Sequence, residues 1–259
     1  MTRSSLLKST ILRAGKVLTH HFGKVSYKQK RRADLLTIAD LESQKTILDA
    51  IRRAFPGDDY TAEEDEVKLT GAEYLWIIDP LDGTTNYAHG YPVSCVSIGV
   101  LKDGRAHLAG VYDPFRRELF FAQRNMGTTL NGKRLGVTRT RRITDSLLIT
   151  GFAYDRAERA DYYLARFKKF MKTCHDVRRS GSAALDMAWI AAGRADGFWE
   201  YELNPWDVAA GLLLIQEAGG RVTDFNGNEW KDWREMGKRT LASNGLIHRS
   251  MLSILQRTR

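Results

Sequence analysis

The sequence of 259 residues has no long apolar run. Without a stretch of about 18 or more apolar residues, no transmembrane helix is expected. The first residues scatter Arg3, Lys8, Arg13 and Lys16 among apolar side chains, which breaks the apolar segment that a signal peptide needs. We therefore expect a cytoplasmic protein with no membrane partner.

Cysteine is scarce, with only Cys95 and Cys174 in the chain. A small secreted protein held by disulfides would carry more cysteines at tighter spacing, so both thiols are expected to be reduced. Cys95 lies in the apolar run VSCVSIGV, which is typical of a small core residue. No neighbouring base marks either residue as a catalytic thiol.

Charge is abundant, and the formal net charge is +9. An excess of positive charge attracts anions, whether phosphate esters, nucleic acids or anionic membranes, without choosing among them. The basic runs KQKRR (28–32) and TRTRR (138–142) have no aromatic residues interleaved at stacking spacing. We interpret each run as a solvated loop or a solvated face, with a nucleic-acid contact as the alternative.

Helical and strand patterns alternate along the chain, which indicates a layered α/β fold. Helices are predicted from the N-terminus to Gly23, from about 37 to 55, from 159 to 172, from 182 to 192 and from Pro205 to Gly219-Gly220. Strands are predicted at YLWIID, VSCVSIGVLK, AHLAGVY, ELFFAQ and SLLITGF. We interpret residues 1–259 as a single domain, with two lobes divided near 140–150 as the alternative.

The segment WIIDPLDGTTNY places two carboxylates, Asp79 and Asp82, at the end of a predicted strand. Pro80 fixes the backbone between them, and Gly83 frees the turn that follows. Mg²⁺ prefers carboxylates and water in near-octahedral geometry, so two converging carboxylates and the Leu81 carbonyl would suit it. The alternative is an Asp-Gly turn in which each acid bonds its own backbone, and that alternative fits Asp82 alone.

The next residues, Gly83-Thr84-Thr85-Asn86, predict the start of a short helix. A helix start offers free N–H groups and the positive end of a dipole, which suit phosphate. Acids that hold cations beside such N–H groups make a site for a phosphate ester. The alternative is that Thr84 only caps the helix.

Two carboxylates rarely hold two metal ions, so further acids are needed. The candidates are Glu63 and Glu64 in TAEEDE, Asp207 in NPWDVAAG and Asp40 in TIADLESQ. Each has an ordinary interpretation as well. The glutamates suit a solvated acidic loop, Asp207 suits the dipole in the first turn of a helix, and Asp40 suits ordinary surface charge.

Five segments together resemble the inositol monophosphatase family, in the order in which that family carries them. They are DLLTIAD (34–40), AEE (62–64), WIIDPLDGTTNY (76–87), RRSGSAALDMAWIAAGRADGFWE (178–200) and NPWDVAAGLLLIQEAGG (204–220). The likeness spans nearly the whole chain and is strongest to the bacterial inositol-1-monophosphatase or extragenic-suppressor type. It implies an αβαβα sandwich of the sugar-phosphatase type, a Mg²⁺-dependent, lithium-sensitive phosphatase and a homodimer.

The resemblance implies two or three Mg²⁺ ions in each site. One ion would be held by Glu63, Asp79 and the Leu81 carbonyl. A second would be held by Asp79, Asp82 and Asp207, and Glu63 would help with a weaker third. A lysine often precedes the DLLTIAD segment in this family, and the sequence offers both Lys28 and Lys30.

The resemblance also implies catalytic and substrate-binding roles. Thr84, paired with Asp40, would orient and deprotonate the attacking water, and Glu64 would lie behind the metal ligands. The implied substrate contacts are the N–H groups of Gly83, Thr84 and Thr85 for the phosphate, Glu200 for substrate hydroxyls, and the loop Ser180 to Ala183, including Ser182 and Ala183.

The leading hypothesis is a phosphatase for a small polyol or sugar monophosphate, with myo-inositol 1-phosphate as the first candidate. Glu200 favours a hydroxyl-rich leaving group because a carboxylate accepts hydrogen bonds from vicinal hydroxyls. Other substrates in this class are fructose 1,6-bisphosphate, histidinol phosphate and 3′-phosphoadenosine 5′-phosphate. The alternative from another class is a regulatory protein that binds RNA or the transcription machinery, as some bacterial relatives do.

Overall fold

The computed structural model describes residues 1–31, 34–64 and 67–257. Seven α-helices lie in that part of the chain. They are α1 (Arg3–His21), α2 (Ile38–Ala54), α3 (Thr84–Ala88), α4 (Ala160–Met171), α5 (Ala183–Ala191), α6 (Pro205–Glu217) and α7 (His248–Arg257). The predicted helices are all present, and their ends lie within a few residues of the predicted ones.

The strands form a hairpin and two larger sheets. The hairpin consists of β1 (Tyr27–Arg31) and β2 (Asp34–Thr37). In spatial order the eight-stranded sheet is β10 (Lys133–Arg134), β9 (Gly127–Leu130), β8 (Glu118–Gln123), β7 (Arg105–Asp113), β6 (Cys95–Lys102), β5 (Tyr74–Asp82), β3 (Asp59–Ala62) and β4 (Val67–Lys68). The five-stranded sheet is β12 (Asp176–Arg178), β11 (Leu147–Thr150), β13 (Gly197–Tyr201), β15 (Arg239–Ser243) and β14 (Arg221–Thr223).

Helices and sheets are stacked in five layers. Helices α1 and α2 cover one face of the eight-stranded sheet, α5 and α6 lie between the two sheets, and α4 and α7 cover the far face of the five-stranded sheet. The outer face of each sheet has its own apolar cluster, and a third, central cluster joins the two inner faces through α5 and α6. The predicted αβαβα sandwich is therefore confirmed. The division into lobes near 140–150 stays a prediction.

Local sequence signals explain where two helices begin. Thr37 caps α2, and the Asp40 carboxylate reaches back to the Thr37 N–H, which completes a capping box. Asn204 caps α6 in the same way with Asp207, and Pro205 occupies the first helical position. Asp40 and Asp207 are thus fixed by the helix starts that they stabilise.

Strand β5 does not end at Asp79 as predicted, but continues to Asp82. Its pairing with β6 shifts on the way: Asp79 lies opposite Ser97, and Asp82 lies opposite Cys95. One extra residue therefore sits in β5, as in a β-bulge. In a regular strand, residues three apart point to opposite faces, and the extra residue brings both carboxylates to one side.

Residues 28–31 of the first basic run do not form a loop, because they belong to β1 of the hairpin, but residues 28–30 are exposed, as predicted for a solvated face. Arg32 lies outside the described residues. The run is polar throughout, so it has no apolar alternation to mark a strand. Among the described helices, none combines the length and apolar character that crossing a membrane requires.

Candidate active site

Three carboxylates meet where β5 faces the start of α6. One oxygen from each of Asp79, Asp82 and Asp207 lies within 4.8 Å of the others. Within the described part of the chain, no lysine or arginine forms an ion pair with any of the three. Burial, followed by repulsion from neighbouring acids, raises the pKa of Asp79 well above its usual range. Burial and the Asp82 charge raise the pKa of Asp207 to about 7.

Hydrogen bonds fix the direction of each carboxylate. The Leu81 N–H donates to Asp79 Oδ1 over 3.0 Å, and the Asn204 N–H donates to Asp207 Oδ2 over 2.6 Å. Asp82 Oδ2 accepts from the Ser182 hydroxyl at 2.6 Å and from the Ala184 N–H at 2.8 Å. The alternative that Asp82 merely bonds its own turn is wrong, because its partners come from a distant loop and helix. The site is therefore preformed by three separate parts of the chain.

Glu63 and Glu64 lie beside this cluster, at the end of β3. Burial, and then the charge of Asp207, raise the pKa of Glu63 well above its usual range. The Lys30 ammonium group bonds the Glu64 carboxylate and lies 4.0 Å from Glu63 Oε1. The Gln44 side chain bonds the Glu64 backbone in both directions, at 3.1 and 3.2 Å. The interpretation of these glutamates as a solvated loop is wrong, and Lys30 is a lysine that reaches the acids.

The buried Asp40 and the half-buried Thr84 form a pair beside the cluster. Asp40 Oδ2 accepts from the Thr37 N–H at 2.8 Å and from its hydroxyl at 2.6 Å, while Oδ1 accepts from the Thr84 hydroxyl at 3.1 Å. The Thr84 hydroxyl also lies 3.0 Å from the Leu81 carbonyl. Burial raises the pKa of Asp40 to about 6, against the opposing effect of the Thr37 hydrogen bonds. The interpretation of Asp40 as ordinary surface charge is wrong.

Gly83 turns the chain from β5 into α3. Its φ of 88° is left-handed, and a Cβ there would lie 2.9 Å from the Val93 carbonyl oxygen, so glycine is required. Gly83 is the N-cap, and Thr84 is the first helical residue, so the alternative that Thr84 caps the helix is wrong. Thr85 follows and is exposed. As at any helix start, the first N–H groups have no acceptor inside the helix.

Glu200 lies near the end of β13, in the five-stranded sheet, and is buried. Burial, and then the charge of Asp186, raise the pKa of Glu200 well above its usual range, while Arg179 opposes the rise. Ser182 and Ala183 are also buried, and the Ser182 hydroxyl is engaged by Asp82. The substrate contacts expected of these residues stay predictions.

Three residues that support the site were not predicted from the sequence. The Ser43 hydroxyl donates to the Pro80 carbonyl over 2.8 Å, Gln44 holds Glu64, and Asp186 accepts from the Ser180 hydroxyl. Asp186 had a readable signal, because it is a lone acid in the otherwise apolar helix AALDMAWIA. Ser43 and Gln44 had none, because polar residues on an amphipathic helix ordinarily face water.

Comparisons with known proteins agree with this arrangement. The model of the inositol monophosphatase family matches residues 4–258. An inositol-1-monophosphatase of Synechocystis sp. is 43% identical over 251 residues, which are 96% of this chain and 86% of that protein. The Nus factor SuhB of Escherichia coli (strain K12) is 46% identical over 204 residues, which are 78% of this chain and 76% of that protein.

A solved structure shares the fold throughout. The extragenic suppressor protein SuhB of Bartonella henselae superposes with a TM-score of 0.92 at 34% identity, covering 98% of both chains. The family match, the relatives and the shared fold all extend over most of the chain, and the family match at 4–258 includes the segments that bring the carboxylates together. The chain belongs to the inositol monophosphatase family.

Proposed function

We propose that the chain is a Mg²⁺-dependent phosphatase that hydrolyses a small polyol or sugar monophosphate, with myo-inositol 1-phosphate as the first substrate to test. That it is a phosphoric monoester hydrolase follows from its family. The observation that carries the proposal is the cluster of Asp79, Asp82 and Asp207 beside the start of α3. Carboxylates that repel one another in a buried site need a cation, and a helix start suits a phosphate.

The donor set fits Mg²⁺, which prefers carboxylate and carbonyl oxygens. Glu63, Asp79 and the Leu81 carbonyl would hold one ion, and Asp79, Asp82 and Asp207 would hold a second, with Glu63 contributing to a weaker third. When bound, Mg²⁺ supplies positive charge for the phosphate and makes a coordinated water more acidic. Glu64, held by Lys30 and Gln44, would keep Glu63 in place.

The Thr84–Asp40 pair would activate the attacking water. In this mechanism the Thr84 hydroxyl would donate its proton to Asp40 Oδ1, at 3.1 Å, rather than to the Leu81 carbonyl at 3.0 Å, and its oxygen would accept a hydrogen bond from water. A proton then passes from the water to Thr84 and from Thr84 to Asp40. With a pKa of about 6, Asp40 is largely ionised at neutral pH and close enough to it to act as a base.

The substrate would lie between the two sheets. The N–H groups of Gly83, Thr84 and Thr85 would bind the phosphate at the helix start. Glu200 would accept hydrogen bonds from hydroxyls of the leaving group, and Ser182 and Ala183 would border it. Phosphoryl transfer depends mainly on positioning and charge neutralisation, so no covalent nucleophile is needed.

The test is phosphate release from a panel of phosphomonoesters, with and without Mg²⁺ and with added Li⁺. The panel contains myo-inositol 1-phosphate, fructose 1,6-bisphosphate, histidinol phosphate and 3′-phosphoadenosine 5′-phosphate. We expect Mg²⁺-dependent, Li⁺-suppressed release, fastest from inositol 1-phosphate. The proposal would be overturned if the folded protein released no phosphate from any ester of the panel.

A second candidate is a regulatory protein that binds RNA or the transcription machinery. The relatives named Nus factor SuhB, at 42% to 46% identity, favour it together with the net charge of +9. Phosphate contacts make RNA binding weaken steeply with salt. Salt-dependent RNA binding that survives Asp82→Asn would support this function, and its absence at low salt would count against it.

We further propose a cytoplasmic homodimer. The dimer is supported by family resemblance, and light scattering coupled to size exclusion would report twice the mass of the chain. The cytoplasmic location is supported by Cys95 and Cys174, which are both free thiols.

A further inference from the structure

Gly151 lies beside Glu200 at the edge of the proposed substrate site. Strands β11 and β13 run parallel, with Thr150 opposite Trp199, so the next residues along each chain are Gly151 and Glu200. The Thr150 hydroxyl donates to the Trp199 carbonyl over 2.7 Å and secures this register. Gly151 is buried, and its φ is not left-handed, so its backbone conformation does not call for glycine.

The space that the missing side chain leaves is filled by the Glu200 carboxylate. A Cβ built on Gly151 would overlap the carboxylate carbon and both of its oxygens, well inside the ~3.5 Å of an ordinary contact. Within the described residues, no hydrogen bond or ion pair holds this carboxylate. Its location therefore depends on the room that Gly151 provides.

We propose that Gly151 determines substrate specificity as a positioning residue, because it leaves the space from which Glu200 meets the hydroxyls of a polyol leaving group. This inference rests on the proposed function. A larger residue at 151 would move the carboxylate away from those hydroxyls, and would therefore weaken recognition of polyol phosphates selectively.

The fold offers little resistance to a larger residue at 151. The three atoms nearest to a new Cβ belong to the end of the flexible Glu200 side chain, which can change rotamer. At Gly99, by contrast, a Cβ would lie 3.0 Å from the Ala209 carbonyl carbon, so helix α6 itself would have to move. Replacing Gly151 is thus expected to displace one functional side chain and leave the packing in place.

The experiment compares Gly151→Ala with Gly57→Ala, a matched control whose Cβ would meet nothing within 4 Å. kcat and KM are measured with Mg²⁺ for myo-inositol 1-phosphate and for 4-nitrophenyl phosphate, whose leaving group has no vicinal hydroxyls. We expect Gly151→Ala to raise KM for the inositol ester about 10-fold or more, the loss of a hydrogen bond to a charged group. KM for the aryl ester should stay within about twofold, and Gly57→Ala should match the wild type on both.

A double-mutant cycle tests whether Gly151 acts through Glu200. In a Glu200→Ala background, which removes both the clash and the hydrogen-bond acceptor, Gly151→Ala should no longer change KM for the inositol ester. An equal loss on both substrates, no change on either, or a full effect in the Glu200→Ala background would each overturn the inference. Failure of the proposed function would look different, because the wild-type protein would then release phosphate from neither ester.

Discussion

The Thr84 hydroxyl donates to Oδ1 of Asp40 over 3.1 Å and joins two residues that are 44 positions apart in the chain. Asp40 accepts hydrogen bonds from Thr37, the N-cap of α2. Thr84 is the first residue of α3 and closely follows Asp79 and Asp82, two of the candidate metal ligands. In the proposed mechanism, Asp40, whose pKa is raised, therefore receives the proton of the attacking water through one hydroxyl group. This relationship gives the first test of the mechanism.

Thr84→Ala removes that hydroxyl and is expected to lower kcat about 100-fold or more, as the loss of general-base assistance does. KM should change little, because the N–H groups that would bind phosphate remain. Steady-state phosphate release with inositol 1-phosphate measures both constants. Thr85→Ala is the matched control, since the exposed neighbouring hydroxyl has no role in this path. An effect of Thr84→Ala confined to KM would contradict the role assigned to it.

Asp79→Asn tests the metal site through stability as well as activity. Replacing one of three carboxylates that disfavour one another's ionised form should raise the melting temperature of metal-free protein, while abolishing most turnover. Added Mg²⁺ should raise the melting temperature of the wild type, because a ligand that binds only the folded state stabilises it. The variant should lose most of that response.

Thermal scans with and without Mg²⁺ measure both effects of Asp79→Asn. Asp161→Asn, at an exposed position on α4, serves as the control and should respond to Mg²⁺ as the wild type does. A variant at position 79 with near-normal Mg²⁺-dependent turnover would refute the metal assignment.

Much of the site was predictable because its acids stand in short, distinctive segments. Asp79, Asp82 and Asp207 were each identified from a strand end or a helix start, and the structure brings them together. The supporting residues were not predictable, because their role depends on distant partners. Ser182 is 100 positions from the Asp82 carboxylate that it holds, and nothing in the local sequence indicates that contact.

His248 predicts how stability depends on pH. The buried imidazole lies between the Thr223 and Ser243 hydroxyls, at 3.0 and 2.9 Å, and burial, aided by Arg221, lowers its pKa to about 4. Between about pH 6.5 and 4 the unfolded chain therefore binds a proton that the folded chain does not. This group should leave stability unchanged above pH 6.5 and reduce it by on the order of 2 kcal/mol by pH 5.

Urea unfolding of the wild type and of His248→Asn at pH 7.5, 6 and 5 checks this expectation. The stability difference between the two proteins should shrink as the pH falls, because only the wild type carries the penalty. His89→Asn, at an exposed imidazole, should keep the wild-type pH dependence. If the difference in unfolding free energy between the wild type and His248→Asn stayed constant from pH 7.5 to 5, the lowered pKa assigned to His248 would be contradicted.

Asp58 anchors the N-terminal helix to the eight-stranded sheet. Its buried carboxylate accepts two hydrogen bonds from Arg3, at 2.7 and 2.8 Å, and one from the Trp76 indole N–H at 2.8 Å. Asp58→Ala leaves those donors without a partner and is expected to lower the free energy of unfolding by about 2–3 kcal/mol. Urea denaturation measures the loss. Asp49→Ala, which removes an exposed pair with Lys45, should cost less than about 0.5 kcal/mol.

The fold was predictable where periodicity was strong and unpredictable where pairing was long-range. The amphipathic pattern of α2 and the Pro205 start of α6 gave their bounds closely. The hairpin β1–β2 was missed because β1 is mostly polar and β2 is only four residues long, so neither shows a strand pattern without its partner. The bulge in β5 was missed for a related reason, since the extra residue is visible only against β6.

Helix α6 has a consequence for substitutions far from the site. It contacts both sheets, and it also carries Asp207 in its first turn. The distance between Asp207 and the β5 carboxylates therefore depends on how α6 packs between the sheets. That packing includes contacts between α6 and β14 of the five-stranded sheet. The substitution Val222→Ala, at a buried position of β14, would leave a cavity towards which α6 could shift. Mg²⁺ affinity is thus expected to depend on residues of the five-stranded sheet that never touch the ion.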